Sequence, residues 1–114
     1  MSHVIDNPRR TVSEAAPWVR GWKDRSLVLI DLLAAIDGDA LAAAAALLAW
    51  VRECRRSLGA PPDPRLRSLC RRILEETWEA ACSTLYGDLG PARQHAEAAL
   101  QDVRDVWEIL DALD

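Results

Sequence analysis

Apolar residues recur every three or four positions in four stretches of the chain, and no stretch alternates as a β-strand would. Short links containing glycine, proline or aspartate separate these stretches. The pattern predicts an all-α protein, an antiparallel up-down four-helix bundle that follows a short N-terminal leader. We assign residues 1–16 to the leader, which could be a docked arm, and residues 17–114 to the bundle domain.

The four helices are expected from near Pro17 to about Ile36, over 40–58, over 64–85, and from near Pro91 to the C-terminus. Proline is expected to end any helix that begins earlier in the leader. The residues predicted to face inward are Trp18, Trp22, Leu29, Leu33 and Ile36 in the first helix, Leu41, Ala44, Leu48, Val51 and Leu58 in the second, Leu66, Leu69, Cys70, Ile73, Thr77, Ala80 and Ala81 in the third, and Ala92, Ala96, Ala99, Val103, Val106, Leu110 and Leu113 in the fourth, where Leu100 and Trp107 widen the stripe.

The links carry recognisable helix end signals. Gly38 is expected to take the left-handed conformation that closes the first helix, and Asp39 to cap the second. Gly59 is expected to close the second helix, and Asp63 followed by Pro64 to begin the third. Links this short favour antiparallel neighbours.

The middle of the first helix is apolar on every side, from Leu27 through Ile30. A helix of this kind is normally covered on more than one face. The sequence leaves open whether this helix packs within its own chain or completes the bundle of a partner.

Composition and size restrict the class of protein. The chain has 114 residues, of which 50% are hydrophobic and 28% charged, so one small globular domain is expected rather than a disordered tail. Its longest apolar run, 40–51, is shorter than the roughly 20 residues of a membrane span. The first residues lack the pattern of a secretory signal, and three cysteines without close pairs suggest free thiols, so we expect a cytoplasmic protein.

Charge is distributed unevenly over the predicted bundle. Residues 17–25, 52–72 and 102–114 meet at one end, which we call the arginine pole, with a net charge of +3. Residues 26–51 and 73–101 form the acidic pole, with a net charge of −7. The favoured interpretation is that arginines of the second and third helices pair with acids of the fourth. The alternative is that surplus arginines remain free to bind an anion.

Signals for catalysis are weak. The chain has no phosphate-binding glycine loop, zinc-protease helix or redox cysteine pair. Glu75 and Glu79 lie one turn apart, but His95 has no acid at the spacing of a carboxylate metal site. Cys54 and Cys70 are interpreted as small buried hydrophobic residues. We therefore predict no catalytic residue, no metal and no cofactor, and an enzyme is only the third alternative.

Tryptophan and arginine supply the candidate binding residues, because both are enriched in interface hot spots. Trp50 and Trp78 are predicted about 100° away from the inward stripes of their helices. The leading hypothesis is a non-catalytic interaction module that acts on another protein as adaptor, regulator or inhibitor. Its predicted partner-binding residues are Trp50, Trp78, Arg52, Arg55, Arg56, Arg65, Arg67, Arg71 and Arg72.

Two further hypotheses concern partners. The arginines could instead contact phosphates in a nucleic-acid-binding accessory subunit of a larger complex, although a net charge of −4 excludes a basic coat over the whole surface. The alanine-rich second helix could pack against its own copy in a homo-oligomer. A membrane partner is not expected.

Overall fold

The computed structural model describes residues 8–61 and 63–113, with the side chains of 17–61 and 63–112. The chain forms four helices, α1 (Pro8–Ala34), α2 (Ala40–Ser57), α3 (Pro64–Leu85) and α4 (Leu89–Leu113), with a 3-10 turn at Ala35–Asp37. The helices pack against one another, and no strand occurs within these ranges. The prediction of an all-α four-helix bundle is confirmed.

Contacts between α3 and α4 show that these helices are antiparallel. Arg72 contacts Asp102 at 2.7 Å, and one turn further along α3, Glu76 contacts His95 at 2.6 Å. Moving forward along α3 therefore means moving backward along α4. This direction brings the beginning of α3 and the end of α4 to the same end of the bundle, as the arginine pole requires.

The core confirms the inward stripes predicted for α1, α3 and α4, with Leu69, Leu100 and Trp107 at its edge. The side chain of Leu113 lies outside the described residues. The stripe predicted for α2 is wrong in part. Leu41 is 66% exposed, and the buried residues of this helix are Ala43, Ala44, Leu47, Trp50, Val51 and Cys54. Residues 40–51 are all apolar, so periodicity alone does not select a face, and packing of the large Leu47 and Trp50 side chains decides it.

The helix ends are mostly as predicted. The side chains of Asp39 and Asp63 accept hydrogen bonds from backbone N–H groups of α2 and α3, respectively. Gly59 has the left-handed conformation after α2, with φ of 77°. The prediction for Gly38 is wrong, because its φ is −103°. The 3-10 turn closes α1 instead, and the Gly38 N–H donates to the Ala35 carbonyl at 3.0 Å.

The start of α1 differs from the prediction. The helix begins at Pro8 and continues through Pro17, so the expected boundary near Pro17 is wrong. Proline removes one helical hydrogen bond but keeps a helical φ, so a helix can pass through it at a cost of about 3 kcal/mol. Residues 1–7 of the predicted leader lie outside the described residues.

Helix α1 packs against α2 and α4 of its own chain. The expectation that its apolar middle is covered on more than one side is not met within the single chain. Leu27 is 55% exposed, Val28 is 51% exposed and Ile30 is 38% exposed. The bundle itself therefore leaves these three apolar side chains of α1 partly uncovered.

Candidate functional site

A cleft of about 460 Å³ lies at the arginine pole, between the end of α2 and the first half of α3. The left-handed Gly59 ends α2, and the proline-containing link then turns the chain into α3. This turn holds the two helix ends side by side. The residues that line the cleft are Cys54, Arg55, Leu58, Gly59, Pro61, Arg67, Cys70, Arg71, Leu74 and Glu75.

The cleft combines an apolar surface with excess positive charge. Three guanidinium groups and one carboxylate line it, for a net charge of +2. Arg71 lies 3.8 Å from Glu75, so this pair is only loosely held. Within the described residues, Arg55 and Arg67 form no ion pair. Two exposed guanidinium groups are therefore available to an anion at the edge of a surface formed by Leu58, Pro61 and Leu74.

Trp78 holds Arg55 in place rather than acting as an exposed anchor. Its side chain is half-buried and packs against the core, and the Arg55 guanidinium carbon lies 5.8 Å from the centre of its ring. A cation–π contact of this kind uses the charge of the guanidinium and does not need its N–H groups as hydrogen-bond donors. The contact therefore orients Arg55 without using its hydrogen-bond donors.

The other predicted arginines lie outside the cleft. Arg52 is exposed on α2 and does not line it. Three more are held by carboxylates, in the pairs Arg56–Glu53 (2.7 Å), Arg65–Asp63 (2.8 Å) and Arg72–Asp102 (2.7 Å). Pairing between α3 and the acids of α4 is thus confirmed for Arg72. Arg56 and Arg65 instead pair with a neighbour close in sequence.

Trp50 belongs to the core, and its predicted position away from the inward stripe is wrong. The side chain is 7% exposed, and its indole N–H donates to the backbone carbonyl of Arg25 at 2.9 Å. Buried indoles usually need such a partner. The residue therefore fastens α2 to α1 and presents no surface for a partner.

Cys54 and Cys70 lie against the cleft but are buried, as predicted for small hydrophobic residues. Burial raises the pKa of the Cys54 thiol to about 11, and the nearby Arg25 opposes this only in part. Burial also raises the pKa of Cys70 to about 12. Thiols with such pKa values are protonated at neutral pH and are poor nucleophiles.

Arg25 is a structural residue that the sequence reasoning missed. Its guanidinium donates hydrogen bonds to the Gly21 carbonyl and to the Ser57 hydroxyl, so it connects α1 to the end of α2. The signal in the sequence is its spacing, since it lies seven residues after Trp18 and thus close to the inward stripe.

No group of three or more histidine, cysteine, aspartate or glutamate side chains that could hold a metal occurs within the described ranges. His95 contacts Glu76 of α3. A smaller cavity of about 270 Å³ lies between α1 and α4. Its exposed charges include Arg93 and Asp37, which pair at 2.9 Å, so it offers less free charge than the cleft.

Within residues 8–61 and 63–113, none of the helices is long and apolar enough to cross a membrane. No family model, curated protein or solved structure matches this chain. The geometry of the cleft therefore provides the main basis for a function.

Proposed function

We propose that this chain is a non-catalytic interaction module that binds an acidic segment of another protein in the cleft between α2 and α3. It would act in the cytoplasm as an adaptor, regulator or inhibitor. The observation that supports this proposal most is the combination of an apolar surface with Arg55 and Arg67, two exposed arginines without an ion pair among the described residues.

The form of the cleft suits a peptide with both carboxylate and apolar side chains. Carboxylates accept the paired N–H groups of a guanidinium in a two-pronged geometry. Leu58, Pro61 and Leu74 provide the apolar contact that peptide side chains can use. Because Trp78 already holds Arg55, less side-chain entropy is lost when a ligand binds.

The same features favour a protein partner over nucleic acid. A nucleic-acid backbone is bound through many phosphate contacts along a track of cations. Here Arg56, Arg65 and Arg72 are held by carboxylates, and Glu75 lies within the cleft. The two arginines of the cleft without an ion pair among the described residues, Arg55 and Arg67, are too few to follow a phosphate backbone over several nucleotides.

The proposal is tested by affinity capture from the source cells, followed by mass spectrometry of the bound proteins. The wild type is compared with R55Q/R67Q, which removes both free cations of the cleft. The matched control is R52Q/R56Q, which removes the same charge from exposed positions of α2 outside the cleft. Circular dichroism checks that each variant is folded.

We expect a set of proteins that the wild type and R52Q/R56Q retain, that R55Q/R67Q loses, and that nuclease treatment leaves bound. Their binding should weaken only moderately with salt, because few ion pairs are involved. Capture that is unchanged in R55Q/R67Q contradicts the proposal. Capture that disappears after nuclease treatment and falls steeply with salt would show a nucleic-acid partner instead.

A further inference from the structure

The two arginines of the cleft that form no ion pair within residues 8–61 and 63–113 lie at its opposite ends. Arg67 is in the first turn of α3, close to the link from α2. The Arg55 guanidinium carbon lies 5.8 Å from the ring centre of Trp78, which is eleven residues further along α3. Eleven residues of a helix span about 16 Å, so the two guanidinium groups are at least on the order of 10 Å apart.

The charges between these two ends of the cleft cancel. Arg71 and Glu75 lie on α3 between Arg67 and Trp78, and their charged groups are 3.8 Å apart. The excess positive charge of the cleft is therefore divided between its ends. Leu74 belongs to the same interval of α3, lines the cleft and is only partly buried, so the middle of the cleft offers an apolar contact.

A single anion cannot use both arginines in this arrangement. The oxygen atoms of one carboxylate or one phosphate group are too close together to contact two guanidinium groups at this separation. One anion therefore gains one exposed ion pair, which strengthens binding by only about one- to fivefold. A ligand with two separated anions gains a pair at each end of the cleft.

We propose that the cleft recognises two carboxylates at once, with an apolar side chain between them, in one extended stretch of the partner protein. In an extended stretch, side chains at positions i, i+2 and i+4 point to the same side, and the outer two positions are about 13 Å apart. Acidic residues at i and i+4 then reach Arg67 and Arg55, and an apolar residue at i+2 contacts Leu74. The inference rests on the proposed function and adds the number and spacing of the acids.

The test uses two capped pentapeptides of identical composition as probes. The spaced peptide, Asp-Ala-Leu-Ala-Asp, has its acids at the proposed separation, and the adjacent peptide, Asp-Asp-Leu-Ala-Ala, has them side by side. Both carry the same charge and the same central leucine, so a difference between their affinities reports the spacing of the acids. Titration of the full chain at low salt, followed by nuclear magnetic resonance, measures the Kd of each peptide even when binding is weak.

The spaced peptide should bind about fivefold more tightly than the adjacent peptide, because it makes one more ion pair. Arg55→Gln and Arg67→Gln should each weaken the spaced peptide by about fivefold and remove its advantage. Each should weaken the adjacent peptide by only about twofold, because this peptide can still pair with the remaining arginine. The matched control is Arg52→Gln, which removes an exposed arginine of α2 outside the cleft and should change neither Kd.

Equal affinities of the two peptides overturn the proposed spacing, and if both peptides still weaken in R55Q/R67Q, the binding of an acidic segment stands without it. Inorganic phosphate that binds as tightly as the spaced peptide and depends on both arginines would show that the two guanidinium groups meet on one anion, which also overturns the proposal. Failure of both peptides to bind overturns it too, and the capture experiment then decides the proposed function separately. Circular dichroism verifies that each variant is folded.

Discussion

At the residue scale, the environment of a side chain decides its role more than its type does. Trp50 and Trp78 have equivalent predicted positions on their helices, yet Trp50 is buried with its N–H bonded to α1, and Trp78 lies half-buried under Arg55. A rotation of a helix about its axis by a fraction of a turn is enough to move a tryptophan at the edge of the apolar stripe from the surface into the core. Aromatic residues at the edge of an apolar stripe are therefore poor guides to an interface when the sequence is the only information.

Asp102 is the buried carboxylate of the arginine pole. Its side chain is 3% exposed and contacts the Arg72 guanidinium at 2.7 Å. Burial raises the pKa of Asp102, and the charge of Arg72 opposes the increase without cancelling it. The carboxyl group therefore binds a proton more readily in the folded chain than in the unfolded chain.

This pKa predicts how stability depends on pH. Because the native pKa lies above the unfolded value of 3.8, the native state binds more protons in the window between them. The contribution of Asp102 to stability is therefore fully present below that window and is lost as pH rises through the native pKa. The free energy of unfolding of the wild type, relative to Asp102→Asn, should increase as the solution is acidified from neutral pH.

Urea unfolding of the wild type and Asp102→Asn at several pH values measures this difference. The exposed Asp111, changed to Asn, controls for the general effect of removing a carboxylate from α4. A wild type that loses stability relative to Asp102→Asn on acidification would show that the pair with Arg72 dominates over burial.

At the element scale, the helices follow from local sequence signals. The third helix was predicted with the bounds it has, because Asp63 and Pro64 mark its beginning and Gly87 follows its end. The beginning of the first helix was predicted wrongly, whereas its end near Ile36 was predicted to within two residues, since the 3-10 turn over Ala35–Asp37 follows α1. The helix continues through Pro17, because the residues on either side of this proline are helical. At the other end, a 3-10 turn closes the helix instead of a left-handed Gly38.

The two left-handed glycines give a prediction about the helix ends. Changing Gly59 or Gly87 to Ala should destabilise the chain by about 1–2 kcal/mol each, because a Cβ atom is unfavourable at φ of 77° or 81°. Gly90 is the control. It lies within α4, where an added Cβ meets nothing within 4 Å, so Gly90→Ala should stabilise the chain by up to about 1 kcal/mol.

Chemical denaturation of the three variants at neutral pH distinguishes these effects. Equal stability of Gly59→Ala and Gly90→Ala would mean that the link between α2 and α3 relaxes into another conformation. In that case Gly59 would not be needed to hold the ends of α2 and α3 side by side at the cleft.

At the scale of the whole molecule, the four helices contribute unequally. The largest interface of the bundle lies between α3 and α4, and α1 makes the least contact with the rest of the chain. A helix with few buried contacts opens at a lower free energy than the core of the molecule. The expected order of protection therefore places α3 and α4 above α1.

Native-state hydrogen exchange tests this order. Backbone amides of residues 17–34 should exchange fastest among the helical amides of the bundle, and those at the α3–α4 interface slowest. Equal protection in α1 and α4 would contradict the expected order.

The sequence by itself determined the helical class, the number of helices, most of their ends and three of the four buried stripes. These properties depend on spacing and on local capping, which one segment of chain carries alone. Only the tertiary structure decided the face that α2 buries, the arginines that remain unpaired and the side of α1 that stays exposed. Each of these depends on the relative rotation and separation of helices, and where a segment is apolar on all sides, no periodicity in the sequence selects among the alternatives.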